Sequence, residues 1–266
     1  MLYKNVDLTA PVNVSSWRKT TYGTWKVTGD SQAYCLQTIS VKNILSFIEN
    51  YPKKITLTHI VGMCCAKMIK EHPEINRVIR FGKFYQRKDI SIFFQVASDS
   101  NGEDLSGHTV KNIDKINLES LVKDLQSSAF KIKQGEDIHY HKVKKQMKLI
   151  PTIFLPIVIK AYGFVLYSLN LWSPLFGAPK DAFGSMMITN IGGLGIQTAF
   201  APLVGYSRAP LVLAIGKVYK KPVVIDDKIQ IEPCVDFCWT LDHRLIDGVK
   251  GAKMMQDFEK YMGQYH

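Results

Sequence analysis

The sequence has no Cys-x-x-Cys pair among its five cysteines, no internal repeat, no low-complexity tract and no linker-like stretch. Without paired cysteines there is no zinc or disulfide framework to read. Cys64 and Cys65 lie in an apolar helical run and are expected to be reduced core thiols in a reducing compartment, with no metal bound. The missing linker and repeats leave one domain over residues 1–266 as the expected organisation. Acidic residues are few, 23 against 34 Lys and Arg, which sets the formal net charge at +11. The partners should therefore be anionic: a phosphate-bearing cofactor, an acidic membrane surface or nucleic acid. Nucleic acid ranks last, because no recognition motif and no basic-aromatic platform is present. Residues 1–11 lack a basic segment followed by an apolar one, so no secretory signal is read and a cytoplasmic location is expected. A hydrophobic content of 46% excludes a disordered or fibrous chain.

Residues 12–30 are polar and aromatic, with Trp17, Arg18, Lys19, Tyr22 and Trp25 spaced for a short helix or an arm laid over a domain. Ala33, Cys35, Gln37 and Ile39 alternate as on a strand, and Ser40 is expected to cap a helix carrying Ile44, Leu45, Phe47 and Ile48. Thr56 begins a second helix that ends before Pro73. Residues 90–97 read as an apolar strand, 98–107 as a loop, and 118–134 as an amphipathic helix. From Lys131 to Lys148 six lysines outnumber Glu136 and Asp137, and in residues 149–177 the single formal charge is Lys160. Prolines 151, 156 and 174 argue against a bilayer span there. Two readings of 149–177 stay open: a core helical hairpin, and an interfacial element at an anionic membrane surface. The remainder is β-rich. Met186 to Ile191 forms a strand running into Gly192, Gly193 and Gly195, and Leu211 to Val218 forms another. A hairpin turns around Asp226, Asp227 and Lys228, a long strand ends at Asp242, and a last helix starts near Gly248.

His243 stands where that long strand ends, in Asp242-His243-Arg244-Leu245-Ile246-Asp247-Gly248. An imidazole at a strand end beside a glycine turn can be aimed into a cleft and can take a proton from a thiol or hydroxyl near neutral pH. A lone histidine is more often structural, but here a carboxylate follows four residues on, and a separate strand carries Ile188-Thr189-Asn190-Ile191-Gly192.

At these residues the sequence resembles the family of chloramphenicol acetyltransferase and the dihydrolipoamide acyltransferase cores of 2-oxoacid dehydrogenase complexes. The family signature is His-x-x-x-Asp-Gly, and Asp-His-Arg before Asp-Gly is most similar to the dihydrolipoamide acyltransferase version. Residues 188–192 resemble its Ile-Ser-Asn-Leu-Gly strand, 200–216 its following loop and strand, 66–78 its N-terminal helix, and Trp17-Arg18 its N-terminal arm. The resemblance implies an α/β fold, a two-layer sandwich with a mixed sheet, assembled as a homotrimer or a larger homo-oligomer with the active site between subunits. It implies acyl transfer from acyl-CoA to a thiol, hydroxyl or amine, with coenzyme A / acyl-CoA taken as substrate and no metal cofactor. His243 would be the general base, Thr189 would hold the oxyanion in place of the family's serine, and Asp247 would pair with Arg18 and hold the histidine loop. Asn190 and Gly248 would support the site, Gly248 by allowing the turn into the last helix.

The chain departs from the family in three places. The resemblance starts almost at Met1, so a stand-alone acyltransferase domain is expected, without lipoyl or subunit-binding domains. Residues 104–110 replace the family's Gly-Leu and Pro-Val strand, and 149–177 form an apolar helical insertion, so the acceptor pocket has diverged. The competing function is a catalytically inactive trimeric scaffold or membrane-associated assembly protein of the same fold.

Overall fold

The computed structural model describes residues 1–15, 18–19, 30–97, 105–134, 150–177 and 179–266. In chain order its strands are β1 (Tyr3–Lys4), β2 (Leu8–Val12), β3 (Gln32–Ser40), β4 (Arg77–Arg80), β5 (Lys83–Arg87), β6 (Ile92–Ala97), β7 (Leu105–Val110), β8 (Leu171–Trp172), β9 (Met186–Asn190), β10 (Leu211–Ile215), β11 (Tyr219–Ile225) and β12 (Lys228–Asp242). The helices are α1 (Lys42–Asn50), α2 (Leu57–Glu71), α3 (Leu118–Lys133), α4 (Leu155–Gly163) and α5 (Gly248–Met262). Seven strands form a mixed sheet: β3 and β10 flank the second half of β12, β11 pairs with its first half, and β9, β6 and β7 follow beyond β10. β6, β9 and β10 run parallel, whereas β12 runs against β10 and β3. An antiparallel sheet of β2, β5 and β4 and a ribbon of β1 with β8 complete the strands.

Period-two alternation decides which face each strand presents to the helices. Val235, Phe237, Trp239 and Leu241 of β12 enter the core with Ile60, Cys64 and Met68 of α2 and Met254 and Phe258 of α5. Phe258 meets Trp239 and Phe237 edge-on at 5.0 and 5.2 Å between ring centroids, contacts worth about 0.5–1.5 kcal/mol each beyond area burial. These rings fix α5, whose first turn adjoins His243. In α2, burial pushes the Cys64 thiol up to about 12 and that of Cys65 well above its ordinary value, so both stay protonated packing groups. Ala33, Cys35, Gln37 and Ile39 of β3 point to the same layer, and Gln37 donates to the Met255 carbonyl of α5 at 3.0 Å.

Some boundaries differ from the sequence reading. Ser40 does not cap α1; Val41 holds that position, and the Ser40 hydroxyl donates to Glu232 at 3.2 Å because Ser40 is still paired with Cys234 in the sheet. Residues 105–107 are strand, since β6 offers them a partner edge; 98–104 of the expected loop lie outside the described residues. The apolar strand after Ala209 stops at Ile215, where the Gly216 amide turns to the Asp236 carbonyl. Thr56 does start α2, with its backbone amide donating to His59 Nδ1 at 2.9 Å, and Asp226 and Asp227 both take positive φ in the β11–β12 turn.

The expected helical hairpin over 149–177 is absent. Only α4 is an α-helix; one π-turn (Phe164–Ser168) follows, then Asn170 at φ 58° reverses the chain into β8, which pairs with β1. The reversal is stabilised by the Asn170 side chain, which accepts from the Val6 amide at 2.6 Å and donates to the Val6 carbonyl at 2.9 Å. Among the described residues no helix is long and apolar enough to cross a membrane. Residues 135–149, which hold most of the basic stretch, lie outside the described residues, as do Trp17, Tyr22 and Trp25.

On the other side of β12, buried Asp236 accepts from Thr38 at 2.7 Å, Tyr219 at 2.9 Å and Thr198 at 2.5 Å. Burial alone would raise its pKa, but the three hydroxyl donors outweigh it and hold the carboxyl below its ordinary value. The depressed folded-state pKa contributes stability that is present above the unfolded-state value and is lost as pH falls through the folded-state value. Urea unfolding of Asp236→Asn should show a stability deficit near neutral pH that narrows as the solution is acidified; a deficit independent of pH would contradict the assignment.

Candidate active site

The segment after β12 is pinned at every residue. Asp242, nearly buried, accepts from the Arg244 backbone amide at 3.0 Å and from its guanidinium at 2.6 to 3.2 Å. Leu245 and Ile246 are core residues. The His243 amide donates to the Ser31 carbonyl at 2.7 Å, which ties the turn to the start of β3. Asp247 is the N-cap of α5: one carboxylate oxygen accepts from the Lys250 amide at 3.0 Å, and the other accepts from Arg18. Arg18, buried in a helical turn of the N-terminal segment, also donates to the carbonyls of His243 and Arg244 at 3.4 and 3.3 Å. One guanidinium thus holds both ends of the loop that presents the imidazole.

Thr189 lies near the end of β9, opposite Ala214 of β10, with its side chain on the sheet face away from the helices, like Met187. Its hydroxyl makes no hydrogen bond among the described residues. Asn190 fixes the strand end, donating to Thr58 of α2 at 3.0 Å and accepting from the Gly193 amide at 3.3 Å. The glycine turn beyond it needs its glycines: a Cβ on Gly192 would lie 2.7 Å from the Gly216 carbonyl oxygen, and Gly195 has φ 79°. Gly248 differs. Its φ is not positive and a Cβ there would meet nothing within 4 Å, so the turn into α5 does not require glycine.

The sheet does not bring His243 and Thr189 together within one chain. Thr189 pairs with Ala214, and Ala214 pairs with Cys238, five residues before His243. At about 3.3 Å per residue and about 4.8 Å per strand, the two are roughly 16 Å apart along the strands and 10 Å across them. Because β9 and β12 are antiparallel through β10, their C-terminal ends lie at opposite ends of the sheet. Sequence reasoning did not find the Ser31 carbonyl or the Asp242–Arg244 pair: a backbone acceptor leaves no signal in sequence, and the pair is visible only as two adjacent opposite charges. Among the described residues no group of three or more His, Cys, Asp or Glu could hold a metal ion.

Residues 179–266 match the family model of the 2-oxoacid dehydrogenases acyltransferase (catalytic domain). The lipoamide acyltransferase component of the branched-chain alpha-keto acid dehydrogenase complex of Bacillus subtilis is 23% identical over 226 residues, covering 82% of this chain and 43% of that protein. The chain thus spans about two fifths of the length of that relative. A probable dihydrolipoamide acetyltransferase from Listeria monocytogenes superposes with a TM-score of 0.65 at 16% identity, covering 97% of this chain and 95% of the other. Chloramphenicol acetyltransferase superposes with a TM-score of 0.54 at 10% identity, covering 96% and 100%. The fold is therefore the chloramphenicol acetyltransferase-like two-layer α/β sandwich, and the chain is similar to acyltransferase catalytic domains.

Removing one partner of the Arg18–Asp247 pair leaves the other buried charge uncompensated. Asp247→Ala should cost about 3 to 5 kcal/mol in denaturant unfolding, and Arg18→Met/Asp247→Ala should cost clearly less than the two single losses added. Strict additivity in this cycle would mean the pair is not coupled.

Proposed function

We propose that the protein transfers an acyl group from acyl-CoA to an acceptor thiol at a site shared between copies of the chain. The observation that carries this reading is the placement of the two chemical groups: a loop pinned at five residues holds half-buried His243 at one end of the sheet, and β9 carries the Thr189 hydroxyl near the other. A second copy is needed to complete the site, and a closed homotrimer, in which each copy supplies one histidine and one hydroxyl, satisfies this for every subunit. Exposed apolar surface is available for such contacts. Tyr34 and Leu36 on the uncovered face of β3, with Phe200 edge-on to Tyr34 at 5.5 Å, and Ile229 and Ile231 on β12 face solvent in the single chain.

In this reading His243 takes the proton of the acceptor thiol, and the thiolate attacks the thioester carbonyl carbon. The Thr189 hydroxyl donates to the oxyanion of the tetrahedral intermediate, which collapses by breaking the bond to the CoA sulfur. The CoA thiolate then takes the proton from the imidazolium, so no acyl-enzyme forms. The extra methyl of threonine, relative to serine, restricts χ1 and narrows the site. Arg18 and Asp247 act through the loop that carries His243 and are positioning residues. The protein would work in the cytoplasm, and dihydrolipoamide is the first acceptor to try because the similar proteins are named for it.

Purified protein incubated with a panel of acyl-CoAs and dihydrolipoamide should release CoA. His243→Ala should lower turnover by at least about a hundredfold and Thr189→Ala by about a hundred- to a thousandfold, with far-UV circular dichroism and light scattering unchanged. Near-native turnover in His243→Ala would contradict the mechanism. A folded, oligomeric wild type with no CoA release from any donor would favour the inactive scaffold.

A further inference from the structure

The helix α4 is apolar except for Lys160, and among the described residues only one side of it is covered. Val158, Ile159, Tyr162 and Gly163 face the protein, where a Cβ on Gly163 would lie 3.0 Å from Tyr206. The outward side of α4 and of the turns that flank it carries Ile153 (78% exposed), Phe154 (53%), Ile157 (66%) and Phe164 (47%). Phe81 (66% exposed), held at φ 47° in the tight β4–β5 turn, extends this surface by meeting Phe164 edge-on at 6.1 Å. Each phenylalanine has about 150–250 Å² of surface, so with the isoleucines roughly several hundred Å² of apolar side chain faces solvent, within the range of the larger patches on soluble monomers. The charge on this face has one sign. Lys160 stands exposed within it, Lys83 follows Phe81 across the turn, and residues 149–177 contain no acidic residue.

We propose that this face docks the protein on an anionic lipid bilayer. Apolar side chains on the outer side of α4 and at the β4–β5 turn would sink below the headgroups, while Lys160 and Lys83 reach lipid phosphates. The lysine in the middle of the patch weighs against a two-fold contact with a second copy of the chain, which would bury Lys160 against another positive apolar face with no carboxylate to meet it. At a bilayer its long stem lies along the apolar surface and its ammonium stays among phosphates; a trimer contact through a different face is read by the oligomer size in the test. This inference does not rest on the acyl-transfer reading, and its test does not read turnover.

The test is flotation of the full chain with phosphatidylcholine vesicles and with vesicles of phosphatidylcholine and phosphatidylglycerol, at low and high salt. Binding is expected to the phosphatidylglycerol vesicles, weaker at high salt, and reduced at least tenfold in Ile157→Asp/Phe164→Asp. Lys160→Glu should weaken binding to the anionic vesicles alone. No flotation of folded wild type with either vesicle overturns the proposal, as does flotation that Ile157→Asp/Phe164→Asp leaves unchanged. So does a fall in oligomer size caused by the double substitution with no change in flotation, since that result assigns the face to a second copy.

Discussion

The antiparallel relation of β9 and β12, imposed by the one strand between them, is the constraint on which the functional account depends. β10 runs parallel to β9 and against β12, so the residue that carries the hydroxyl, near the end of one, and the histidine just past the end of the other lie toward opposite ends of the sheet. No side-chain rotamer closes a gap of roughly 19 Å, the distance that strand rise and strand spacing imply. On the proposed reading, an acyl-transfer site built from these two groups is assembled between chains, and a single copy carries only its halves.

Both segments are held by several contacts. On the histidine side, a buried guanidinium spans from Asp247 to the carbonyls of His243 and Arg244, two apolar side chains anchor the middle of the loop, and the ring contacts of Phe258 fix the helix that Asp247 caps. On the threonine side, Asn190 bridges the strand end to α2 and to the glycine turn. These supports draw on residues far apart in sequence, and a site whose halves meet across an interface tolerates little looseness in either.

The alternation in residues 33–39 and 234–242 was readable because side-chain period on a strand is fixed by geometry, and both segments present the face their pattern implies. Sheet order was not readable, because the pattern on one strand carries no information about its neighbour. For that reason the strand character of residues 105–107, which depends on the open edge of β6, was missed, as was the role of Ser40, whose place in a ladder overrides its capping preference. In 149–177 apolar content gave length without direction: the turn back at Asn170 depends on two hydrogen bonds to Val6, more than 160 residues away. The signature around His243 identified the residues that converge, and Arg18 and Asp247 were named from resemblance. Gly248, expected to allow the turn into the last helix, has no positive φ, and a Cβ there would meet nothing within 4 Å.

The claim that two chains build each site is tested most directly by mixing subunits. His243→Ala and Thr189→Ala chains, each inactive alone, are unfolded together, refolded and assayed for CoA release. In a trimer with random assembly, about a quarter of the interfaces pair an intact histidine with an intact threonine, and activity should return to about that fraction of the wild-type value. Mixed oligomers that form but stay inactive would contradict a shared site and require both groups to act within one chain.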